Sequence, residues 1–216
     1  MGKKRTGVCC YCGKEGPVTR EHVPPKSFFP KSTSGLIVVD ACEDCNNSNS
    51  KSDEEVRNVF SWLSMEKNAE ANEVYRDKVW KAISKYPDRF HETTKHLRPT
   101  DRFDLDDESG LYLRSYGFTM NDVIEKCVRR WVKALFFHES QKLFGISLFS
   151  QVKFLDESIG NTVFEPGYTR LMKSHFATSD QTFQYSTTFQ NGEWYYFLRF
   201  YNEFTAVAIF TYRELL

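Results

Sequence analysis

The sequence predicts an α+β fold: a small metal-stapled module at the N-terminus, then helices, then a C-terminal antiparallel β-sheet. Three observations carry this. Two Cys-x-x-Cys pairs, Cys9/Cys12 and Cys42/Cys45, bracket residues 13–41. An apolar stripe at helical spacing runs through Asn121 to Lys142. Alternating runs at Thr182–Gln190 and Trp194–Tyr201 flank Asn191-Gly192, the side-chain chemistry of a two-residue hairpin turn. The chain divides accordingly at residues 1–66 and 67–216.

With 216 residues, 40% hydrophobic and 27% charged, the chain is long enough for one domain with a sizeable core or two small ones. No run approaches the roughly 18 consecutive apolar residues of a membrane span. The basic start MGKKRTG is followed by no apolar stretch, so no signal peptide is expected and the expected location is the cytosol. Net charge is zero but uneven. Up to Lys31 the basic residues are Lys3, Lys4, Arg5, Lys14, Arg20, Lys26 and Lys31, against Glu15 and Glu21. Such an excess suits a phosphate-facing surface. Lys3 to Arg5 alone read equally well as a solvated tail.

Along the chain, Leu36-Ile37-Val38-Val39 is a short β-branched run that predicts a strand, with Thr19–Val23 as its partner. Pro24-Pro25 ends that partner, because proline cannot donate to a ladder. Ser52-Asp53-Glu54-Glu55 has the form of a capping box before a stripe of Val56, Val59, Phe60 and Leu63. That helix either starts at the box or begins near Glu43 and is interrupted there. Ala69–Tyr86 reads as a second helix, and Pro87–Gly110 as a surface connection. Thr205–Tyr212 is expected to add a third C-terminal strand.

Without a secretory signal, paired cysteines point to metal more than to disulfides. Each Cys-x-x-Cys forms a tight knuckle presenting two thiolates, and two knuckles complete a tetrahedral Zn²⁺ site at Cys9, Cys12, Cys42 and Cys45. The metal then supplies folding energy to a loop too small for its own core. Gly13 suits the positive φ that such a knuckle needs. Cys10 is an alternative to Cys9, although its spacing to Cys12 is too short for an ordinary knuckle.

Between the pairs lies Thr19-Arg20-Glu21-His22-Val23-Pro24, and the second knuckle runs Ala41-Cys42-Glu43-Asp44-Cys45-Asn46-Asn47. These motifs, in this order, resemble the cysteine-bearing branch of the HNH endonuclease family, over about residues 7–57. The resemblance implies a ββα-metal module, a hairpin packed on a helix around a catalytic divalent ion. It implies that His22 is the general base on an attacking water, and that Glu21 and Asn46 hold the ion. Their hard oxygen donors suit Mg²⁺ or Mn²⁺. The expected reaction is hydrolysis of a nucleic-acid phosphodiester, DNA foremost, in a defence or mobile-element setting; involvement of a partner protein or a second copy of the chain stays open. Two departures stand out. Glu21 replaces the more frequent Asp, and Ile37 occupies the place of the middle Asn, which Ser32 or Ser34 would have to replace.

Asn46 also suits the cap of a following helix, and Asn49 and Ser50 lie one turn on. His91, His96, His138 and His175 are isolated and read as structural or surface residues. Trp194, Tyr195, Tyr196, Phe200 and Tyr201 are candidates for base stacking, but alternation favours the core. Lys126, Arg129, Arg130 and Lys133 share the polar side of the long helix, either facing phosphate or solvated. The competing function is a non-catalytic zinc-finger module that binds nucleic acid or protein. A subunit active only with a partner is a third.

Overall fold

The computed structural model describes residues 5–88, 91, 94–95, 97–105, 112–118, 122–143, 149–155 and 176–211. Lys3, Lys4, His96, His175 and Tyr212 lie outside the described residues.

The chain starts as a small hairpin, β1 (Thr6–Val8) against β2 (Glu15–Pro17), with the first cysteine pair at its tip. A second hairpin joins β3 (Thr19–Val23) to β4 (Ile37–Ala41), pairing Glu21 with Val39, His22 with Val38 and Val23 with Ile37. Both strands fall where the β-branched run predicts them.

Helix α1 (Glu43–Asn47) begins directly after Cys42, and α2 (Ser50–Ser64) follows after a break at Ser48-Asn49. The helical stretch therefore begins near Glu43, and Ser52 to Glu55 lie inside α2 instead of capping it. Asp53 turns into the interior and is buried. Next come α3 (Ala69–Val74), a π-helical turn (Tyr75–Trp80) and α4 (Lys81–Lys85), one continuous helical path over most of the predicted span. Asn68 caps it: its side chain accepts from the Ala71 amide at 2.8 Å.

The predicted connection at 87–110 is corrected. It contains β5 (Leu97–Leu105), paired antiparallel with β6 (Tyr112–Phe118) and shifted in register between Pro99 and Phe103. The long amphipathic helix is α5 (Asp122–Ser140).

The C-terminal part is an antiparallel five-stranded sheet in the order β7 (Phe149–Leu155), β11 (Phe204–Phe210), β10 (Glu193–Phe200), β9 (Phe183–Gln190), β8 (Phe176–Ala177). Asn191 (φ 54°) and Gly192 (φ 81°) both take positive φ in the β9–β10 turn, as the primed hairpin turns require.

Among the described residues, one buried cluster joins the β3–β4 hairpin, α2, α5 and the C-terminal sheet. Phe28, just after β3, packs edge-on against Trp131 of α5 at 5.1 Å between ring centroids. Phe200 of β10 lies 5.4 Å from Trp131 and 5.2 Å from Phe60 of α2. Buried Tyr201 donates its hydroxyl to the Phe28 carbonyl at 2.6 Å. Tyr196, Phe200 and Tyr201 are therefore core residues. The loop after β3 is fixed from outside as well: Lys78 donates to the carbonyls of Ser27 and Phe29 at 2.8 and 2.9 Å. The consequence for function is that the β3–β4 hairpin is held rigidly against α2 and α5.

Candidate metal centre and the hairpin beside it

The sulfurs of Cys9, Cys12, Cys42 and Cys45 all lie within 4.8 Å of one another, close enough to hold a metal ion such as zinc. At about 2.3 Å per Zn–S bond, the edge of a tetrahedral tetrathiolate is about 3.8 Å. The Cys12 and Cys42 sulfurs stand 3.8 Å apart. The knuckle at the β1–β2 tip is closed by the Gly13 amide donating to the Cys9 carbonyl at 2.9 Å and the Cys9 amide donating to the Lys14 carbonyl at 3.0 Å. Gly13 has φ +74°, and a Cβ there would lie 2.6 Å from Leu143. The positive φ favours glycine here, and a side chain would also have to displace the end of Leu143. The second pair straddles the start of α1, with Cys42 at its N-cap position.

Cys10 is not in the cluster. It is wholly buried, its thiol is driven up by burial, and its amide donates to the Asp40 carbonyl at 2.9 Å, tying the knuckle to β4. Burial would raise the Cys9 thiol too, but the amides of Cys42, Cys12 and Tyr11 outweigh it and bring it down to about 7. Cys45 moves the other way, pushed up by burial and by its thiol neighbours. Four sulfurs this close cannot all ionise alone, and a divalent cation among them resolves the conflict.

Lys133 of α5 adds a buried cation to this corner. Its ammonium donates to the carbonyl of Tyr11, inside the first knuckle, at 3.1 Å. Burial lowers it, and the charges of Cys10, Cys45, Cys9 and Cys12 oppose that. The even choice left for the helix cations therefore resolves unequally. Arg130 and Lys133 turn inward, and Arg129 pairs with Glu125 along the helix at 2.5 Å.

Glu21 and His22, adjacent on β3, point to opposite faces. Glu21 faces inward and is 7% exposed. It accepts from the Tyr11 hydroxyl at 3.2 Å and lies 3.8 Å from the Arg130 guanidinium. Arg130 also pairs with Asp53 and sits over the Tyr11 ring, 5.7 Å from its centroid. Burial pushes Glu21 up to about 7, with Arg130 opposing. Asp53 is raised by the same burial. His22 is half-buried on the outer face, and burial, Lys26 and Arg20 all lower it, so the imidazole is neutral at neutral pH.

No family model, no curated protein and no solved structure matches this chain.

Asn46 reaches back from α1 to β3, donating from Nδ2 to the Thr19 hydroxyl at 2.8 Å. Thr19 and Glu21 share a strand face, so Asn46 and Glu21 stand on the same side of the hairpin, with His22 on the other. Ile37 is buried in the apolar core, and Ser34 turns to Ser179 at 3.4 Å. Asn49 donates to the Cys45 carbonyl at 3.2 Å. Among the described residues, the four cysteines form the sole group of three or more metal-binding Cys, His, Asp or Glu side chains. The sequence reading missed Asp53 and Arg130, whose partners are far away in the chain. His91 and His138 are exposed. No helix among the described residues is long and apolar enough to cross a membrane.

Proposed function

We propose that residues 1–66 form a zinc-stapled ββα-metal module of the HNH kind and that the protein is an endonuclease hydrolysing nucleic-acid phosphodiester bonds, DNA foremost. One observation carries the reading: the cysteine cluster fastens the start of α1 to the β1–β2 tip, and Asn46 bonds from α1 to the strand that bears Glu21 and His22. Zn²⁺ at Cys9, Cys12, Cys42 and Cys45 is structural, since four thiolates leave no open position for substrate. His22 takes a proton from the water that attacks phosphorus, and the phosphorus–oxygen ester bond breaks as the leaving oxygen is protonated from solvent. A neutral imidazole suits that role. Mg²⁺ or Mn²⁺ held by Glu21 and Asn46 would neutralise charge on the phosphate. Because Glu21 points inward and His22 outward, both reach one phosphate only around the edge of β3 that carries no strand partner among the described residues.

A second reading is favoured by a specific contact. Arg130 already gives Glu21 a cation, so ion binding and the Arg130 pair compete for one carboxylate. In a non-catalytic module that binds nucleic acid, that pair would be purely structural. The deciding experiment incubates the purified chain with supercoiled plasmid, single-stranded DNA and RNA, each with Mg²⁺, with Mn²⁺ or with chelator. Metal-dependent cleavage is expected. Intact substrate in every lane, with a folded zinc-loaded protein, gives the binding module the lead.

A further inference from the structure

Strand alternation separates the two faces of the β3–β4 hairpin, and the outer face is not used by the core. It carries Arg20 and His22 from β3, with Asp40 and Val38 directly across from them on β4. A groove of about 600 Å³ runs along this face, between the hairpin and the C-terminal end of α5. Arg5, Arg20, Val38, Asp40, Phe137 and His138 are among its walls. Its volume is that of a site for a nucleotide-sized group. His22 is not among its walls, but it stands opposite the wall residue Val38 in the strand register and two residues along β3 from Arg20.

The charge of the groove selects its occupant. Arg20 and His138 are exposed, and the Arg5 side chain is 58% exposed. Asp40 is the one acidic residue in the wall, and it pairs with Arg5 at 3.1 Å. No described carboxylate pairs with Arg20. Lys26 lies close enough to bear on the His22 imidazole alongside Arg20. Guanidinium groups match phosphate oxygens in a two-pronged geometry. Val38 and Phe137 offer an apolar floor for sugar or base. An anionic polymer with apolar units meets all of these together.

We propose that this groove binds the sugar–phosphate backbone of a nucleic-acid strand, with Arg5 and Arg20 on successive phosphates and the strand leading to His22. The proposal rests on the nuclease reading for the direction of the strand, but the groove's binding is separable from cleavage.

The test measures binding of a short labelled single strand and its duplex by fluorescence anisotropy, in chelator so that nothing is cut, across a salt series. The proteins are the parent, Arg20→Ala, Arg5→Ala with Arg20→Ala, Arg20→Lys, and Lys85→Ala on α4 as a control outside the groove. Both arginines are solvent-facing, so an unchanged melting temperature certifies the fold. The double variant should bind at least 10-fold more weakly. The slope of log affinity against log salt should flatten by about 1.4 for the single strand and about 1.8 for the duplex, as two phosphate contacts are lost. Arg20→Lys should keep most of the slope, and Lys85→Ala should match the parent. Unchanged affinity and slope in the double variant overturn the groove, as does a parent that binds no nucleic acid at any salt. Cleavage in Mg²⁺ or Mn²⁺ separates the two ideas. A parent that binds through these arginines but cuts nothing leaves the groove standing and overturns the nuclease. A double variant that cuts at the parental rate does the reverse.

Discussion

Replacing Arg130 with alanine is expected to be the most damaging single change outside the cysteines and the aromatic core. Its side chain is 10% exposed, and the two carboxylates it faces, Asp53 and Glu21, are each 8% exposed. Removing one member of a buried ion pair costs about 3–5 kcal/mol, because the remaining charge keeps its desolvation penalty without its partner. The two carboxylates do not contribute equally. Glu21, already at about 7, takes up a proton at neutral pH once the guanidinium is gone, and keeps the Tyr11 hydroxyl. Asp53 loses its main partner and keeps only the neighbouring Trp131 indole N–H and Cys127 thiol to stabilise its charge. The loss should therefore sit near the lower end of the range, at about 3 kcal/mol. Urea unfolding of zinc-loaded protein at pH 7, followed by tryptophan fluorescence, measures it, because Trp131 is buried next to Arg130 in α5. Adding Asp53→Asn to Arg130→Ala should restore at least about 1.5 kcal/mol in a double-mutant cycle. A loss below about 1 kcal/mol, or no recovery with Asp53→Asn, would refute the reasoning that this cluster is desolvated and coupled.

Three further outcomes follow from the same corner. Elemental analysis should find about one zinc per chain, retained by Cys10→Ser and lost with the fold in Cys42→Ser; a zinc-free Cys42→Ser as stable as the parent would contradict a structural metal. Lys133→Met should keep the fold but release zinc to a chromogenic chelator about 10-fold more readily, the usual scale for a residue supporting the ligands, and equal release would show that its charge does not matter to the centre. Glu21 supplies the pH dependence: its ordinary value is near 4.5 and its folded value about 7, so folding favours the protonated form. Its contribution is complete below about 4.5 and is lost as pH rises through 7, about 3 kcal/mol at most. Glu21→Gln should thus be more stable than the parent at pH 8 and no different at pH 4, and identical stability at both would contradict the burial.

The parts of this fold legible in the sequence are those set by local chemistry. Cys-x-x-Cys spacing follows from the reach of a knuckle, Asn191-Gly192 from positive φ, and α5 from an unbroken apolar stripe. The β5–β6 pair was not legible, because Pro99 and the register shift beside it break the alternation that marks a strand. The inward turn of Arg130 and Lys133 was not legible either. On the helix they look like solvated cations, and their partners Asp53, Glu21 and the Tyr11 carbonyl come from elements 77 to 122 positions away. The four-cysteine cluster was legible from its spacing, and the candidate residues beside it, Glu21, His22 and Asn46, as residue types only. Which face each takes was open to strand alternation once β3 was recognised, but what meets each face depends on α5.

The central claim is that His22 serves as the general base of a phosphodiester hydrolysis. Its most direct test compares initial rates of plasmid nicking by the parent and His22→Ala at matched Mg²⁺ or Mn²⁺, with zinc content and melting temperature checked in both. His22 lies outside the four-cysteine cluster, so zinc content and fold should stay. The rate should fall by at least about 100-fold, the scale of a lost general base. A His22→Ala protein that nicks as fast as the parent would contradict the claim outright.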